Sequence, residues 1–172
     1  MAFEKLMAEF ETRRAKALGM GGPDKIARRK KSGALNARER IAGLVDENSF
    51  IESGLFGTSG VNPKEHDETP TDGKIAGFAK IGGRDVAVVV NDFTVKGAST
   101  SATNGKKVGH MKRTATERGM PFVVIGESTG ARLPDAMGAR GMGQLLGNDN
   151  TQFRRTRETP LATAVVGPSF GS

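Results

Sequence analysis

The 172-residue sequence contains no cysteine, no tryptophan and no tyrosine, and only two histidines. Without cysteine there is no disulfide framework, zinc ribbon, thiolate nucleophile or iron–sulfur site. His66 and His110 are too few and too scattered to build a metal site, and no metal is expected. Without Tyr or Trp to stack bases, and with no recognisable binding module, nucleic acid is not an expected partner. No apolar run approaches the roughly 18 residues of a membrane span. The amphipathic start carries Glu4, Glu9 and Glu11, which argues against a signal or transit peptide. A cytoplasmic protein with no membrane partner is the expectation.

Glycine is abundant, at 24 residues, and the net charge is +7. Large apolar side chains are sparse, but they gather in blocks such as Val86-Ala87-Val88-Val89-Val90, the pattern of a folded chain with buried strands. Lys and Arg concentrate early, with 11 of the 26 in residues 1–40. Such a basic segment suits a phosphorylated small molecule or an acidic protein, and equally a solvated helix face.

Phe3, Leu6, Met7 and Phe10 recur at i, i+3, i+4 and i+7, predicting an amphipathic helix to about Leu18, stopped by Gly19, Gly21, Gly22 and Pro23. A second, basic helix is predicted over 24–31. A third begins at Asn36-Ala37-Arg38-Glu39, where Asn36 caps and Glu39 sits at N3. Residues 1–45 thus read as a helical arm and 46–172 as a separate α/β domain. In that domain a short strand is expected at 50–52, a loop at 58–73, and a hairpin of 74–81 and 84–91 turning on Gly82-Gly83. A helix over 104–118, a buried strand over 121–126, a helix over 137–146 and a strand over 161–166 complete a layered β-β-α-β-α-β core. The last strand feeds a Gly-rich turn, Gly167 to Ser172, and the chain reads as cut short there.

Familiar catalytic motifs fail on spacing. Gly105-Lys106-Lys107 lacks the upstream Gly and the following Ser or Thr of a phosphate loop, and Gly141, Gly143 and Gly147 are misplaced for a dinucleotide fingerprint. Asp92 and Glu127, at predicted strand ends, are candidate general bases or turn caps. Two small-residue turns remain, Glu127-Ser128-Thr129-Gly130-Ala131-Arg132 and 167–172. Each follows a buried strand and can turn backbone N–H groups toward a developing oxyanion.

Several landmarks together resemble the biotin-dependent acyl-CoA carboxyltransferases of the propionyl-CoA carboxylase β-subunit type. They are Asn36-Ala37-Arg38-Glu39-Arg40-Ile41, Asp46 to Glu52, Asp72-Gly73, Gly82-Gly83-Arg84, Asn91-Asp92-Phe93-Thr94-Val95, Lys107, Ser128-Thr129-Gly130-Ala131-Arg132, Phe153-Arg154-Arg155 and Gly167-Pro168. They follow the family's order from about residue 20 to the end. The resemblance implies an incomplete crotonase-like fold and transfer of CO2 from carboxybiotin to the α-carbon of an acyl-CoA through a thioester enolate. It places biotin on a separate carrier and implies biotin carboxylase and biotin carrier subunits as partners, in a homo-oligomer whose active site is shared between subunits.

The same resemblance implies residue roles. Gly171 and Ser172 would donate the oxyanion-hole N–H groups, Gly130, Ala131 and Arg132 would shape the CoA pocket, and Lys107 and Arg154 would meet CoA phosphates. Thr129, Phe170 and Ser172 depart from the family's residues; a Cβ at Thr129 or Ser172 keeps the N–H but narrows the approach to it. A decarboxylase subunit of the same fold acting on a malonyl-type CoA, and a non-enzymatic basic binding module, are the alternative readings. A fragment of this length is expected to be catalytically inert by itself.

Overall fold

In a computed structural model of the chain, residues 2–61, 63–136 and 159–170 are described. Helices α1 (Ala2–Leu18), α2 (Pro23–Lys31) and α3 (Ala37–Leu44) come first. The expected capping box opens α3: Glu39 N–H donates to Asn36 Oδ1 at 2.9 Å and Asn36 N–H to Glu39 Oε2 at 2.8 Å.

A five-stranded sheet follows, in the order β1 (Ile51–Ser53), β2 (Lys74–Ile81), β3 (Arg84–Asn91), β4 (Phe122–Ser128), β5 (Leu161–Ser169). β1–β2 and β2–β3 pair antiparallel, β3–β4 and β4–β5 parallel. The β2–β3 hairpin turns on Gly82 and Gly83 at φ 56° and 78°, left-handed values that glycine adopts without Cβ strain. The Asp46 carboxylate accepts from both of their N–H groups, at 2.8 and 2.7 Å. Helix α4 (Ala102–Glu117) makes the crossover from β3 to β4, and the short α5 (Leu133–Ala136) follows β4.

Strand periodicity divides the core. Ile75, Ala79, Val86, Val88 and Val90 pack on one face of the sheet with Met20, Ala37 and Ile41. Ala76, Ala87, Val89 and Phe122 pack on the other with Met111 and Ala115 of α4. A β3 covered on both faces explains its unbroken apolar run. Burial of α3 also ties the helical segment into the core of the sheet domain.

Three details differ from expectation. α4 begins at Ala102, because Ser101 caps it in a box with Asn104. The loop at 58–73 contains 3-10 turns at Pro63–Glu68 and Pro70–Gly73. The final strand runs through Gly167 and Pro168 to Ser169 instead of turning at 167. Pro168 is tolerated because β5 lies at the sheet edge among the described residues, where the register with β4 shifts between Gly126 and Ser128. The helix expected over 137–146 lies outside the described residues. Among the described residues no helix is long and apolar enough to cross a membrane.

Candidate functional site

The parallel strands β3, β4 and β5 end at one edge of the sheet, and β2, antiparallel to β3, begins there. Four segments meet at this edge: 70–73, 92–101, 128–132 and 169–170. After β3, three successive residues, Lys96, Gly97 and Ala98, take φ values of 47°, 61° and 52°, folding the backbone back toward the end of β4. Backbone hydrogen bonds then lace the segments. Thr129 N–H donates to Gly97 O (3.0 Å), Thr100 N–H to Gly130 O (2.8 Å), Arg132 N–H to Thr100 O (2.8 Å) and Phe170 N–H to Ser128 O (3.1 Å). Gly130, at φ 96°, lies so close to β5 that a Cβ would sit 2.9 Å from Phe170 O. Only glycine allows that approach.

Beneath this backbone surface lies a buried polar network. Asp72 is fully buried and accepts from Arg132 Nη1 at 2.5 Å and from the Ser101 hydroxyl. Arg132, 6% exposed, also donates to Ser99 Oγ at 3.2 Å. Asn104 Nδ2 donates to the carbonyls of Asp72 (3.0 Å) and Ser99 (2.8 Å). Lys107 Nζ donates to the carbonyls of Thr71 (2.9 Å) and Lys74 (2.5 Å). Lys74 Nζ reaches Asn91 Oδ1 at 2.9 Å, and Asn91 Nδ2 reaches Glu127 O at 2.8 Å. Burial pulls both lysines down to about 8, against a partial upward pull from nearby carboxylates.

Glu127 is buried between two arginines of the helical segment, with Oε1 2.5 Å from both Arg29 Nη2 and Arg40 Nη1. Arg29 also lies over the Phe93 ring, 5.5 Å from its centroid. A carboxylate so paired is an anchor, and a general-base role does not fit it. Asp92 differs: Oδ1 accepts from the Thr94 N–H (3.0 Å) and hydroxyl (2.6 Å), while Oδ2 is buried without a hydrogen-bond partner among the described residues. Burial raises its pKa, opposed by the Thr94 hydrogen bonds.

Of the residues singled out in the sequence, Gly130, Ala131 and Arg132 converge at this edge. Ala131 forms a parallel bridge with Thr100, and Arg132 points inward to Asp72. Lys107 stands behind the edge, its amine turned onto backbone carbonyls. Gly171, Ser172 and Arg154 lie outside the described residues. Asp72, Ser99, Asn104, Lys74, Arg29 and Arg40 carry the supporting network and were not singled out as site residues. Asp72-Gly73, which reads locally as a turn, and Arg40 stood among the landmarks of the resemblance without a role. Among the described residues no cluster of His, Asp or Glu is arranged to hold a metal ion. Beside the edge, a cleft of about 330 Å³ opens between α1 and the 3-10 turns, with Arg13, Lys16, Phe56, His66 and Thr71 in its lining.

Comparison with known proteins places this arrangement. Residues 28–172 match the family model described as the carboxyl transferase domain. The chain is 34% identical to the carboxyltransferase subunit of a propionyl-CoA carboxylase from Haloferax mediterranei, over 99% of this chain and 33% of that protein. It is also 34% identical to the α subunit of a methylmalonyl-CoA decarboxylase from Veillonella parvula, over 91% of this chain and 31% of that protein. The crystal structure of transcarboxylase 12S, a hexamer described with hydrolysed methylmalonyl-coenzyme A bound, superposes with a TM-score of 0.84 at 27% identity, covering 94% of this chain and 32% of that one. The fold is therefore the crotonase-like fold of the carboxyltransferases. The chain spans about a third of the length of the curated relatives it matches.

Proposed function

The chain belongs to the carboxyl transferase domain family, and from that premise we propose that it is the acyl-CoA-binding part of a biotin-dependent acyl-CoA carboxyltransferase. The observation that carries the reading is the laced edge where 96–101, 128–132 and 169–170 meet, since it brings the end of β5 against Gly130 with no side chain between the two backbones. Enolate chemistry at a thioester needs fixed N–H donors at the carbonyl oxygen, each worth roughly 3–4 kcal/mol in the transition state. Gly171 and Ser172 follow directly on Phe170, which stands against Gly130, and we assign the donor role to their N–H groups. The N–H groups of Thr129 and Gly130 are engaged by Gly97 O and Ser128 Oγ; the assignment to Gly171 and Ser172 follows the family resemblance.

Gly130 and Ala131 would form the wall of the acyl-CoA pocket, and Arg132 would hold that wall in place through Asp72. Lys107 would act on the CoA phosphates as a fixed charge, its amine being held by carbonyls, with Arg154 as a second cation. Carboxybiotin, brought by a separate carrier, would supply the CO2 and the base for the α-proton. This chain's own part is binding, orientation and stabilisation of the enolate oxygen. Biotin carboxylase and carrier subunits, further copies of the chain sharing the active site, and a cytoplasmic setting complete the reading.

A second reading, decarboxylation of a malonyl-type CoA, is favoured by the equal identity to the Veillonella decarboxylase subunit. Calorimetric titration of CoA, acetyl-CoA and propionyl-CoA into the chain tests what both share. Saturable heat that weakens with added salt is expected, and no heat with any of the three would overturn both. Titration with a malonyl-type CoA then separates them: tighter binding of the carboxylated thioester favours the decarboxylase, and tighter binding of the plain acyl-CoA the carboxylase.

A further inference from the structure

Phe170 is the first residue past β5, at the edge where the three parallel strands end. Open sheets with parallel strands take their ligands outside the carboxyl ends of those strands. The main chain of Phe170 is fixed there from two sides. Its N–H donates to Ser128 O at 3.1 Å, and a Cβ on Gly130 would lie 2.9 Å from its carbonyl oxygen and 3.6 Å from its own Cβ. The side chain is not held in this way. It is 66% exposed and joins neither apolar cluster of the core. A large apolar side chain displayed from a fixed backbone keeps a hydration cost that a bound apolar group can relieve.

The surroundings are suited to an apolar group. In the segment after β4 burial alternates, with 128, 130 and 132 inside and Thr129, Ala131 and Leu133 outside, so its outward side chains carry no charge. The charged groups of the edge are turned elsewhere. Arg132 faces Asp72, Glu127 faces Arg29 and Arg40, and Lys96 reaches Glu68 at 2.5 Å. Covalent geometry then sets the distance. The nitrogen of Gly171 lies about 2.4 Å from the Cα of Phe170, and a carbonyl oxygen accepting from it would lie about 2.9 Å further. The first carbons of an acyl chain held there fall within reach of the Phe170 ring.

We infer that Phe170 is an acyl-selecting residue, its exposed ring lying against the acyl chain of the bound thioester and favouring apolar acyl groups over free CoA. The inference rests on the acyl-CoA reading and on the donor role of Gly171 within it. It adds the side chain that distinguishes one acyl group from another, a task the backbone donors cannot perform because every acyl thioester offers them the same oxygen. Each methylene covered by the ring is worth up to about a fourfold gain in affinity.

Calorimetric titration of the full chain with CoA, acetyl-CoA, propionyl-CoA and butyryl-CoA tests it. Affinity should rise by about two- to fourfold with each methylene in the parent chain. In Phe170→Ala the rise should vanish while binding of free CoA is unchanged, and Phe170→Leu should keep part of it. The Phe170→Ala chain should retain the parent's urea midpoint, because the ring takes no part in the core. Ile51→Ala, which removes another exposed side chain on β1 at the far edge of the sheet, should leave the series as it is. A rise that persists in Phe170→Ala overturns the inference, and so does an equal loss for CoA and every thioester, which marks a structural role. Binding of CoA with a flat series in the parent chain overturns the inference alone. No heat with any of the four ligands in the parent chain overturns the acyl-CoA reading and the inference with it.

Discussion

Asp72 and Arg132, sixty positions apart, meet as a buried ion pair at 2.5 Å directly under the edge where the parallel strands end. Asp72 reaches it from a left-handed backbone, φ 51°, next to an equally left-handed Thr71 at φ 53°. Two adjacent non-glycine residues in that region are strained, and the ion pair, the Ser101 hydroxyl and Asn104 hold them there. Replacing Asp72 with Asn leaves the Arg132 charge buried without a counter-charge, a change that typically costs about 3–5 kcal/mol. Urea denaturation should show a loss of that size for Asp72→Asn. A loss below about 1 kcal/mol would mean that the pair does not organise the edge.

Gly97 and Thr129 make a second, tighter relationship. A Cβ on Gly97, at φ 61°, would lie 2.6 Å from Thr129 Cγ2, whereas one on Gly82, at φ 56°, would meet open space. Left-handed backbone strain of about 1–2 kcal/mol applies to alanine at both positions, but only at 97 does overpacking add about 1–3 kcal/mol. Gly97→Ala should therefore lower stability clearly more than Gly82→Ala. Thr129→Gly in the Gly97→Ala background should recover the excess in a double-mutant cycle, and additivity of the two changes would refute the contact.

Glu127 joins the helical segment to the sheet. Its Oε1 takes both Arg29 and Arg40 while its backbone carbonyl takes Asn91. Glu127→Gln keeps the shape and removes the charge, leaving two largely buried guanidiniums facing each other. A loss of about 3 kcal/mol or more is expected, with limited proteolysis cutting preferentially between α2 and α3. A melting temperature within a degree of the parent chain would show that the helices are held by apolar packing alone.

Much of the fold was legible because its determinants are local. The Asn36–Glu39 box, the Gly82-Gly83 turn and the apolar run of β3 each announce themselves within a few residues, and the structure contains all three. The network under the edge was not legible. Asp72 reads as a turn residue, Lys74 as the first residue of a hairpin strand and Lys107 as a surface helix charge or a CoA-phosphate contact. Their roles arise from partners 17 to 60 positions away, which no local pattern reports. The likeness to a family could point to Arg132 and Lys107 but not to which way they face. Glu127 shows the same limit: a carboxylate after a buried strand suits a base or an anchor equally until Arg29 and Arg40 are seen to close on it.

The two buried lysines give the last prediction its sign. Lys74 and Lys107 titrate near 8 in the folded chain and near 10.4 when unfolded. Below pH 8 both states bind the proton, and the fold carries the full cost of burying charge. Between about pH 8 and 10.4 the unfolded chain holds protons that the folded chain has released, so stability rises with pH through that window. Each lysine should contribute roughly 1–3 kcal/mol across it. The composition simplifies the measurement, because the chain has no Tyr and no Cys. The urea midpoint should increase from pH 7.5 to pH 9.5, and Lys107→Met should reduce the increase while leaving part of it to Lys74. A midpoint that falls over the same interval would mean that the ammonium form of Lys107, held by the carbonyls of Thr71 and Lys74, is the form the fold requires.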